Sequence, residues 1–292
     1  MSVNQATQTP PMAKRPTLVL AWAVCGALLL WVYGPIIAKM ILNWYNDPNY
    51  SHGFLVPLVS GYLVWRQKDK LRLMASGPAA GGLVVVAAGL LMLLAGLLAH
   101  ELYLQRLSLI PVLWGLAWIT WGWPVAARTI FAALYLVLMI PLPYVIYDAV
   151  AFPLRLVAAQ LAGWGIRLLG VPVLVEGNIL HLPDVTLNVV DACSGIRSLI
   201  SLLAAGVILA YLMLPNRWSK VLVILLVAPV AVFTNALRVM VAGVMAQHFG
   251  PGVLQGAMHD FTGWVVFLVA FGIMAAITWG LKALLPPWRE SR

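Results

Sequence analysis

Long apolar stretches separated by short polar connections fill most of the chain. A bilayer core about 30 Å thick needs about 20 apolar residues per spanning helix, and about eight stretches come near this length. They lie near residues 17–42, 53–65, 80–99, 107–122, 125–147, 195–214, 219–246 and 262–285, with an amphipathic stretch near 150–170. The pattern predicts an all-α polytopic membrane protein, folded as a single bundle of about eight transmembrane helices.

One connection has a different pattern. In "GVPVLVEGNILHLPDVTLNVVDACSG", residues 170–195, short alternating stretches rich in valine are interrupted by Gly177 and Pro183. Alternation with a period of two is typical of strands, so this segment predicts a small extracytoplasmic β-hairpin. The hairpin leads to Cys193, and the next helix begins at Ser194 and Gly195 with Asp191 as its candidate cap.

Charged residues are scarce and mostly basic, and their positions predict the orientation. Only 9% of residues are charged, against about 25% in soluble domains, and the net charge is +9. Lys and Arg accumulate in cytoplasmic connections, so we attribute this charge to topology and expect no nucleic-acid partner. Every second connection is the basic one, through Lys14, Arg15, Arg66, Lys68, Lys70, Arg72, Arg128, Arg217, Lys220, Lys282, Arg289 and Arg292.

This charge pattern predicts that both termini lie in the cytoplasm. Residues 1–15 are then a cytoplasmic tail, residues 16–292 form the integral membrane domain, and the first helix is expected to stay uncleaved as an anchor. The connections at 43–52, 100–106, 148–194 and 247–261 are predicted to lie outside. Four cations oppose this count: Lys39, Arg106, Arg155 and Arg167.

Three polar residues on successive helices are predicted to meet at the outer interface. Cys193 directly precedes one helix, and His259 stands at the outer start of the last. Arg238 follows Lys220 by 18 residues, which is about 27 Å along a helix. Taken singly, a buried cysteine or an interfacial histidine is ordinary, but a charged residue inside a span costs about 2.5–3.5 kcal/mol. Their coincidence favours a functional site.

These three side-chain types suit acyl transfer through a thioester. A helix start and a nearby cation favour the thiolate, which is the nucleophilic form of Cys193. His259 can take the thiol proton and later protonate a leaving amine, while Arg238 can stabilise the oxyanion of a tetrahedral intermediate. The other cysteine, Cys25, lies deep in the first helix, so a disulfide with Cys193 is not expected. The pattern includes no metal constellation and no phosphate-binding loop, and we expect no cofactor.

The sequence resembles the exosortase/archaeosortase family at four motifs in order. These are "YSHGFLVP" at 50–57, "ACSGIRSL" at 192–199, "NALRV" at 235–239 and "HDFTGW" at 259–264. The resemblance implies a membrane-embedded cysteine transpeptidase of the inner membrane with its active site facing the periplasm. It implies Cys193 as nucleophile and Arg238 and His259 as its partners. The implied substrates are exported proteins with a C-terminal Pro-Glu-Pro-type motif, a membrane helix and a basic tail, associated with exopolysaccharide production.

Further polar residues in these motifs are weaker candidates for substrate contact or local support. They are Tyr50, Ser51, His52, Asp191, Arg197, Asn235 and Asp260. For each, capping or loop structure is the alternative interpretation.

Two other functions remain open at the level of the sequence. A polytopic transporter would also use about eight helices and a buried arginine, although it would place polar groups near the membrane midplane. A non-catalytic assembly factor for envelope polysaccharide export would not need Cys193. The residues do not distinguish water from an amine as the acyl acceptor, and they leave the sorting motif, the thiolate-generating group and the oligomeric state open.

Overall fold

The computed structural model describes residues 16–189, 195–250, 252 and 256–284, and these residues are mostly helical. The helices are α1 (Pro16–Asn46), α2 (Leu55–Arg66), α3 (Lys68–Met74), α4 (Gly81–Leu98), α5 (Leu102–Leu107), α6 (Leu109–Trp121), α7 (Trp123–Tyr135), α8 (Tyr144–Leu168), α9 (Gly195–Met213), α10 (Arg217–Phe249) and α11 (Gly256–Leu284). Two 3₁₀ helices, Pro48–Phe54 and Leu136–Met139, connect α1 to α2 and extend α7. A small sheet, formed by β1 (Leu174–Glu176), β2 (Ile179–His181) and β3 (Thr186–Asn188), lies between α8 and α9.

Membrane-spanning character is confirmed for the chain as a whole. Within the described residues, six helical segments are long and apolar enough to cross a bilayer. They are Trp22–Asn46, Gly81–Leu98, Leu102–Trp121, Tyr144–Leu168, Arg217–Phe249 and Phe261–Leu284, and two shorter apolar helices cover Trp123–Met139 and Ser198–Met213. Many large apolar side chains, such as Leu30 and Trp31, are exposed, as expected of a surface that faces lipid tails. The count of about eight spans stays a prediction.

The apolar stretch predicted at 125–147 is divided in the structure. The helical segment that begins at Trp123 ends at Met139, and α8 begins at Tyr144. The break contains Pro141 and Pro143. It forms here because proline lacks an amide donor and disfavours a helical conformation in the residue before it. The amphipathic stretch predicted near 150–170 therefore begins earlier, as one 25-residue helix.

Basic side chains gather at one end of the bundle, here called the basic end. Arg128 of α7 donates from Nε to Oε1 of Gln67 at 2.8 Å, between α2 and α3. Lys220, at the start of α10, lies 5.3 Å from the ring centroid of Tyr211, which in turn stacks on Phe131 of α7. The basic connections 66–72 and 216–220 therefore both lie near α7, the first through Arg128 and the second through Tyr211 and Phe131, as the alternating charge pattern requires.

Helices α9, α10 and α11 form a mutually packed group in the second half of the chain. Their shared core contains Leu202, Val227 and Met274, one from each helix and each fully buried. Gly206 lets α10 approach α9 closely, since a Cβ there would meet Val227 Cγ2 at 2.9 Å. The three helices that carry or follow the predicted catalytic residues are thus direct neighbours.

The predicted β-hairpin is an antiparallel sheet of three strands. Pairing of Ile179 with Asn188 and His181 with Thr186 forms the expected hairpin, and Leu174–Glu176 adds a third strand on the other side of β2. Leu180 and Leu187 form the buried pair of the sheet, whereas Ile179 and His181 are half-buried. The buried face packs on α8 and α10 through residues such as Ile166 and Val239. Contact with these two helices supplies the core that a short isolated hairpin lacks.

Candidate functional site

Helix α10 carries two of the predicted site residues, Asn235 and Arg238, on one continuous element. It runs for 33 residues, about 50 Å, which exceeds the bilayer core by about 20 Å. Lys220 and Arg238 are both inside it, so the predicted separation of about 27 Å between them is confirmed as helical rise. Arg238 therefore lies far from the basic end, at the opposite end of the bundle.

The guanidinium of Arg238 packs directly on α11. A Cβ placed on Gly263 would lie 3.0 Å from Nη2, 3.3 Å from Cζ and 3.4 Å from Nη1 of Arg238. The absence of a side chain at Gly263 is what allows this approach. His259 occupies a position one helical turn before Gly263 in α11, so the structure places Arg238 beside the turn that follows His259.

Helix α9 joins this group at its first turns. Leu199 of α9 and Asn235 of α10 line one small cavity together with Ala151 and Arg155 of α8. Asn235 is only 5% exposed, and Arg238 follows it by three residues on α10. The described parts of α9, α10 and α11 therefore meet near the start of α9, and α9 begins at Gly195, two positions after Cys193 in the sequence.

For several predicted residues, the structure describes either the backbone alone or neither backbone nor side chain. Cys193 and Asp191 lie outside the described residues. The backbone of Arg197 belongs to the first turn of α9, and the backbones of His259 and Asp260 belong to the first turns of α11, but their side chains are not described. Their predicted roles therefore stay predictions.

The motif at 50–57 reaches the same end of the bundle. Asp47 caps the first 3₁₀ helix by accepting a hydrogen bond from the Asn49 amide at 2.9 Å. Tyr50 then packs against Tyr147 of α8, with ring centroids 6.3 Å apart, in a cluster that also contains Ile200 of α9. Since Ile200 lies within two turns of the start of α9, Tyr50 belongs to the surroundings of the candidate site.

Tyr50 and Ser51 have different environments although they are adjacent. Burial, followed by the neighbouring Tyr147 and Asp47, raises the pKa of Tyr50 to about 12. Its hydroxyl is therefore protonated and donates to the Leu142 carbonyl at 3.5 Å. Ser51 is exposed and its hydroxyl donates to the Pro48 carbonyl within the same turn, which is the local structural role named as the alternative.

His52 is held as a neutral, buried side chain. It is 8% exposed, and its Nε2 lies 3.1 Å from the Leu138 carbonyl, which can only accept, so Nε2 carries the proton. Burial is the largest influence on its pKa and lowers it below the ordinary value of 6.5. Among the described residues, no group lies at hydrogen-bonding geometry to Nδ1. His52 thus joins the first 3₁₀ helix to the second and stays uncharged at neutral pH.

Gly53 is required for this packing, and its replacement by alanine is expected to destabilise the protein. A Cβ at Gly53 would lie 2.3 Å from Nε1 of Trp44, whose indole N–H donates to the Met139 carbonyl at 2.8 Å. Overpacking of this kind costs about 1–3 kcal/mol, and the indole must move for the methyl group to fit. Thermal unfolding of the purified protein in detergent measures the effect.

The matched control is Gly61→Ala, because a Cβ at Gly61 of α2 would meet no atom within 4 Å. This variant is expected to match or slightly exceed the wild-type unfolding temperature, since alanine favours a helix by about 1 kcal/mol over glycine. Equal unfolding temperatures for Gly53→Ala and Gly61→Ala would contradict the packing role of Gly53.

Three features of the site were missed by reasoning from sequence. The sequence pattern predicted no separate role for Gly263 within its motif, and it predicted no role for Tyr147 or Asp148. Arg155, which opposed the charge count, is 14% exposed and pairs with Asp148 at 3.1 Å. For Gly263 the available signal was its position in the motif at 259–264, which also contains the charged residue Asp260. The pairing of Arg155 had a signal too, since Asp148 precedes it by two helical turns on α8.

Two of the opposing cations are accounted for by partners inside the protein. Arg155 is neutralised by Asp148, and Arg167 donates to the Val173 carbonyl at 3.4 Å at the edge of the sheet. Arg106, in α5, is only 5% exposed. Cations that are paired or buried within the fold do not act as topological signals at the headgroup surface.

No three His, Cys, Asp or Glu residues of the described part of the chain come together as a metal site. Near the start of α9, the candidate site instead contains Arg238 packed on Gly263, the buried Asn235, and the contact between the half-buried Tyr50 and the buried Tyr147. A family described as transmembrane exosortase matches residues 44–276, which is most of the chain and includes all four motifs. No curated protein and no solved structure matches the chain.

Proposed function

Since the chain belongs to the transmembrane exosortase family, we propose that it is a membrane cysteine protease or transpeptidase that acts on the C-terminal sorting signals of exported proteins. The observation that carries this proposal is the packing of the Arg238 guanidinium on Gly263, one helical turn from His259, beside the helix that follows Cys193. The proposal assigns a fixed cation to Arg238, a proton carrier to His259 and a nucleophile to Cys193, and it requires all three at neighbouring helix ends. Acyl transfer requires these three groups together.

In the acylation step, the Cys193 thiolate attacks the carbonyl carbon of the scissile peptide bond. The carbonyl oxygen becomes an oxyanion that the half-buried Arg238 guanidinium stabilises. The attack itself forms the C–S bond, and when this tetrahedral intermediate collapses the C=O bond re-forms, the C–N bond breaks and a thioester remains. The leaving amine takes a proton from His259, so that charge balances over the step.

In the second step, water or an amine attacks the thioester carbonyl and gives its proton to His259. The C–S bond breaks and the Cys193 thiolate is regenerated. The product is a free carboxylate when water attacks and a new amide when an amine attacks. The same three side chains serve both steps, because the second is chemically the reverse of the first with a different nucleophile.

The topology of the bundle supports a substrate whose cleavage site lies at the membrane surface. The candidate site lies at the end opposite the basic end, about 27 Å along α10 from Lys220. By the charge rule the basic end faces the cytoplasm, so the site faces the periplasm of the inner membrane and both termini are cytoplasmic. A substrate helix with a basic tail then inserts in the same orientation as the bundle and presents its outer end to Cys193.

The location of polar and aromatic side chains supports the same assignment over a transporter. Arg238, Asn235, Tyr50 and Tyr147 lie at one end of the bundle, whereas a transport pathway is expected to place polar groups near the midplane. Solute uptake by the purified protein in vesicles, without any effect on exported proteins, would favour the transporter instead.

The direct test is co-expression with an exported reporter bearing a Pro-Glu-Pro-type motif, a membrane helix and a basic tail. We expect the protein to shorten the reporter, with the new C-terminus placed at the motif by mass spectrometry. A reporter with a scrambled motif but the same helix and tail is the matched control and is expected to stay uncleaved. Equal cleavage of both reporters, or of neither, would contradict the proposed substrate class.

A further inference from the structure

An apolar groove opens on the lipid-facing side of the bundle between α2, α3, α6 and α7, away from the candidate site. We call it the α2–α7 groove; its cavity volume is about 380 Å³. Its walls are almost entirely apolar and include Val64, Leu113, Ala117, Ala133 and Leu136. This volume is within the range of small-molecule pockets, which begins at about 300 Å³.

Two cations stand at one end of the α2–α7 groove. Lys68 and Arg72, one helical turn apart on α3, both line it and are exposed. The Lys68 ammonium lies 4.9 Å from the ring centroid of Trp65, so a cation–π contact holds it at the groove's mouth. The groove therefore combines a long apolar body with a positively charged entrance.

Tryptophans place this entrance at the depth of the lipid headgroups. Trp114, Trp118 and Trp123 pack together with ring centroids 4.6–6.4 Å apart, and Trp65 and Trp121 line the groove beside them. Tryptophan concentrates at the boundary between lipid tails and water, where Lys and Arg also reach the headgroups. The cations at the entrance thus meet the layer that contains lipid phosphates.

We propose that the α2–α7 groove binds an anionic phospholipid, with one acyl chain inside the groove and the phosphate on Lys68 and Arg72. Charge complementarity favours this occupant, since basic pockets between membrane helices on the cytoplasmic side bind anionic headgroups. It also disfavours a helix with a basic tail, whose cations would meet Lys68 and Arg72. The lipid site is separate from the proposed acyl transfer and does not depend on it.

The test is binding of phosphatidylglycerol to the purified protein in detergent. Native mass spectrometry measures the bound lipid, and the unfolding temperature measures the stabilisation that it causes. Phosphatidylcholine with the same acyl chains is the reference lipid. We expect phosphatidylglycerol to be retained in preference, and the double variant Lys68→Gln/Arg72→Gln to weaken its binding about thirtyfold. The variant Ala117→Phe, which keeps every charge but fills the groove, is expected to lose the bound lipid as well.

The matched control is Arg66→Gln/Lys70→Gln, which removes two cations from the same part of the chain that do not line the groove. Equal weakening by both double variants would mean diffuse attraction and would overturn the proposal. Full binding by Ala117→Phe would show that no chain enters the groove and would overturn it too. Glycerol phosphate alone is expected to have no effect; if it competes as well as the lipid, the ligand is a free phosphate.

Discussion

Replacement of Cys193 by alanine is expected to abolish shortening of the reporter, a loss of about a thousandfold or more. Removing the nucleophile of a covalent mechanism leaves only binding and the oxyanion contact, and these cannot form the thioester. The measurement is the fraction of shortened reporter on an immunoblot at equal abundance of the two membrane proteins. Arg238 and His259 remain in place in this variant, so the loss reports on the thiol alone.

The matched control is Cys25→Ser, which removes the other cysteine of the chain from the half-buried interior of α1. It is expected to leave processing unchanged, because α1 lies outside the mutually packed group of α9, α10 and α11. Processing that continues in Cys193→Ala would remove this residue as nucleophile. The chain would then fit the non-catalytic assembly factor better than an enzyme.

Replacement of Gly263 by leucine is expected to reduce processing about a hundredfold while the protein still folds. The space beside Gly263 is occupied by the Arg238 guanidinium, with Nη2 only 3.0 Å from the position of a Cβ. A leucine side chain must therefore displace the guanidinium, and a shift of about 1 Å in a catalytic group can cost about a hundredfold in rate. The measurement is the rate of reporter shortening, with the unfolding temperature taken in parallel.

Gly272→Leu is the matched control, since it lies on the same helix and a Cβ there would meet nothing within 4 Å. Its processing rate is expected to equal that of the wild type. A second readout separates positioning from general damage: in a Cys25→Ser background, Gly263→Leu is expected to slow alkylation of Cys193 at neutral pH, because a displaced cation stabilises the thiolate less. Normal alkylation together with normal processing would show that the contact between Arg238 and Gly263 is dispensable.

The helical part of the fold followed closely from the order of the residues. The apolar stretches at 80–99, 195–214 and 219–246 match α4, α9 and α10 to within a few residues. They could be predicted because a lipid environment leaves a chain few ways to satisfy its backbone hydrogen bonds. The division of the 125–147 stretch was not predicted, although Pro141 and Pro143 indicated a helix end, because hydropathy alone does not register a change in backbone direction.

The list of candidate site residues stays a prediction from the sequence, and only part of its arrangement can be compared with the structure. Helical rise placed Arg238 at the correct end of α10, because the helix is continuous and its length depends only on residue count. The motif that contains Tyr50 was expected near the candidate site, and in the structure Tyr50 contacts Tyr147 and clusters with Ile200 of α9. The sequence had no means to predict that contact, since Tyr50 of the first 3₁₀ helix and Tyr147 of α8 are 97 positions apart in the chain.

Local features were therefore readable from the residues alone: the membrane environment, most of the helices, the grouping of the basic connections and the family of the chain follow from hydropathy, charge and short motifs. The contacts across helices depended on folding. Gly263 beneath Arg238, Arg155 on Asp148 and the α2–α7 groove beside Lys68 and Arg72 arise from how curved apolar surfaces fit together. Side-chain volume and helix crossing decide that fit, and neither appears in a one-dimensional pattern of polar and apolar positions.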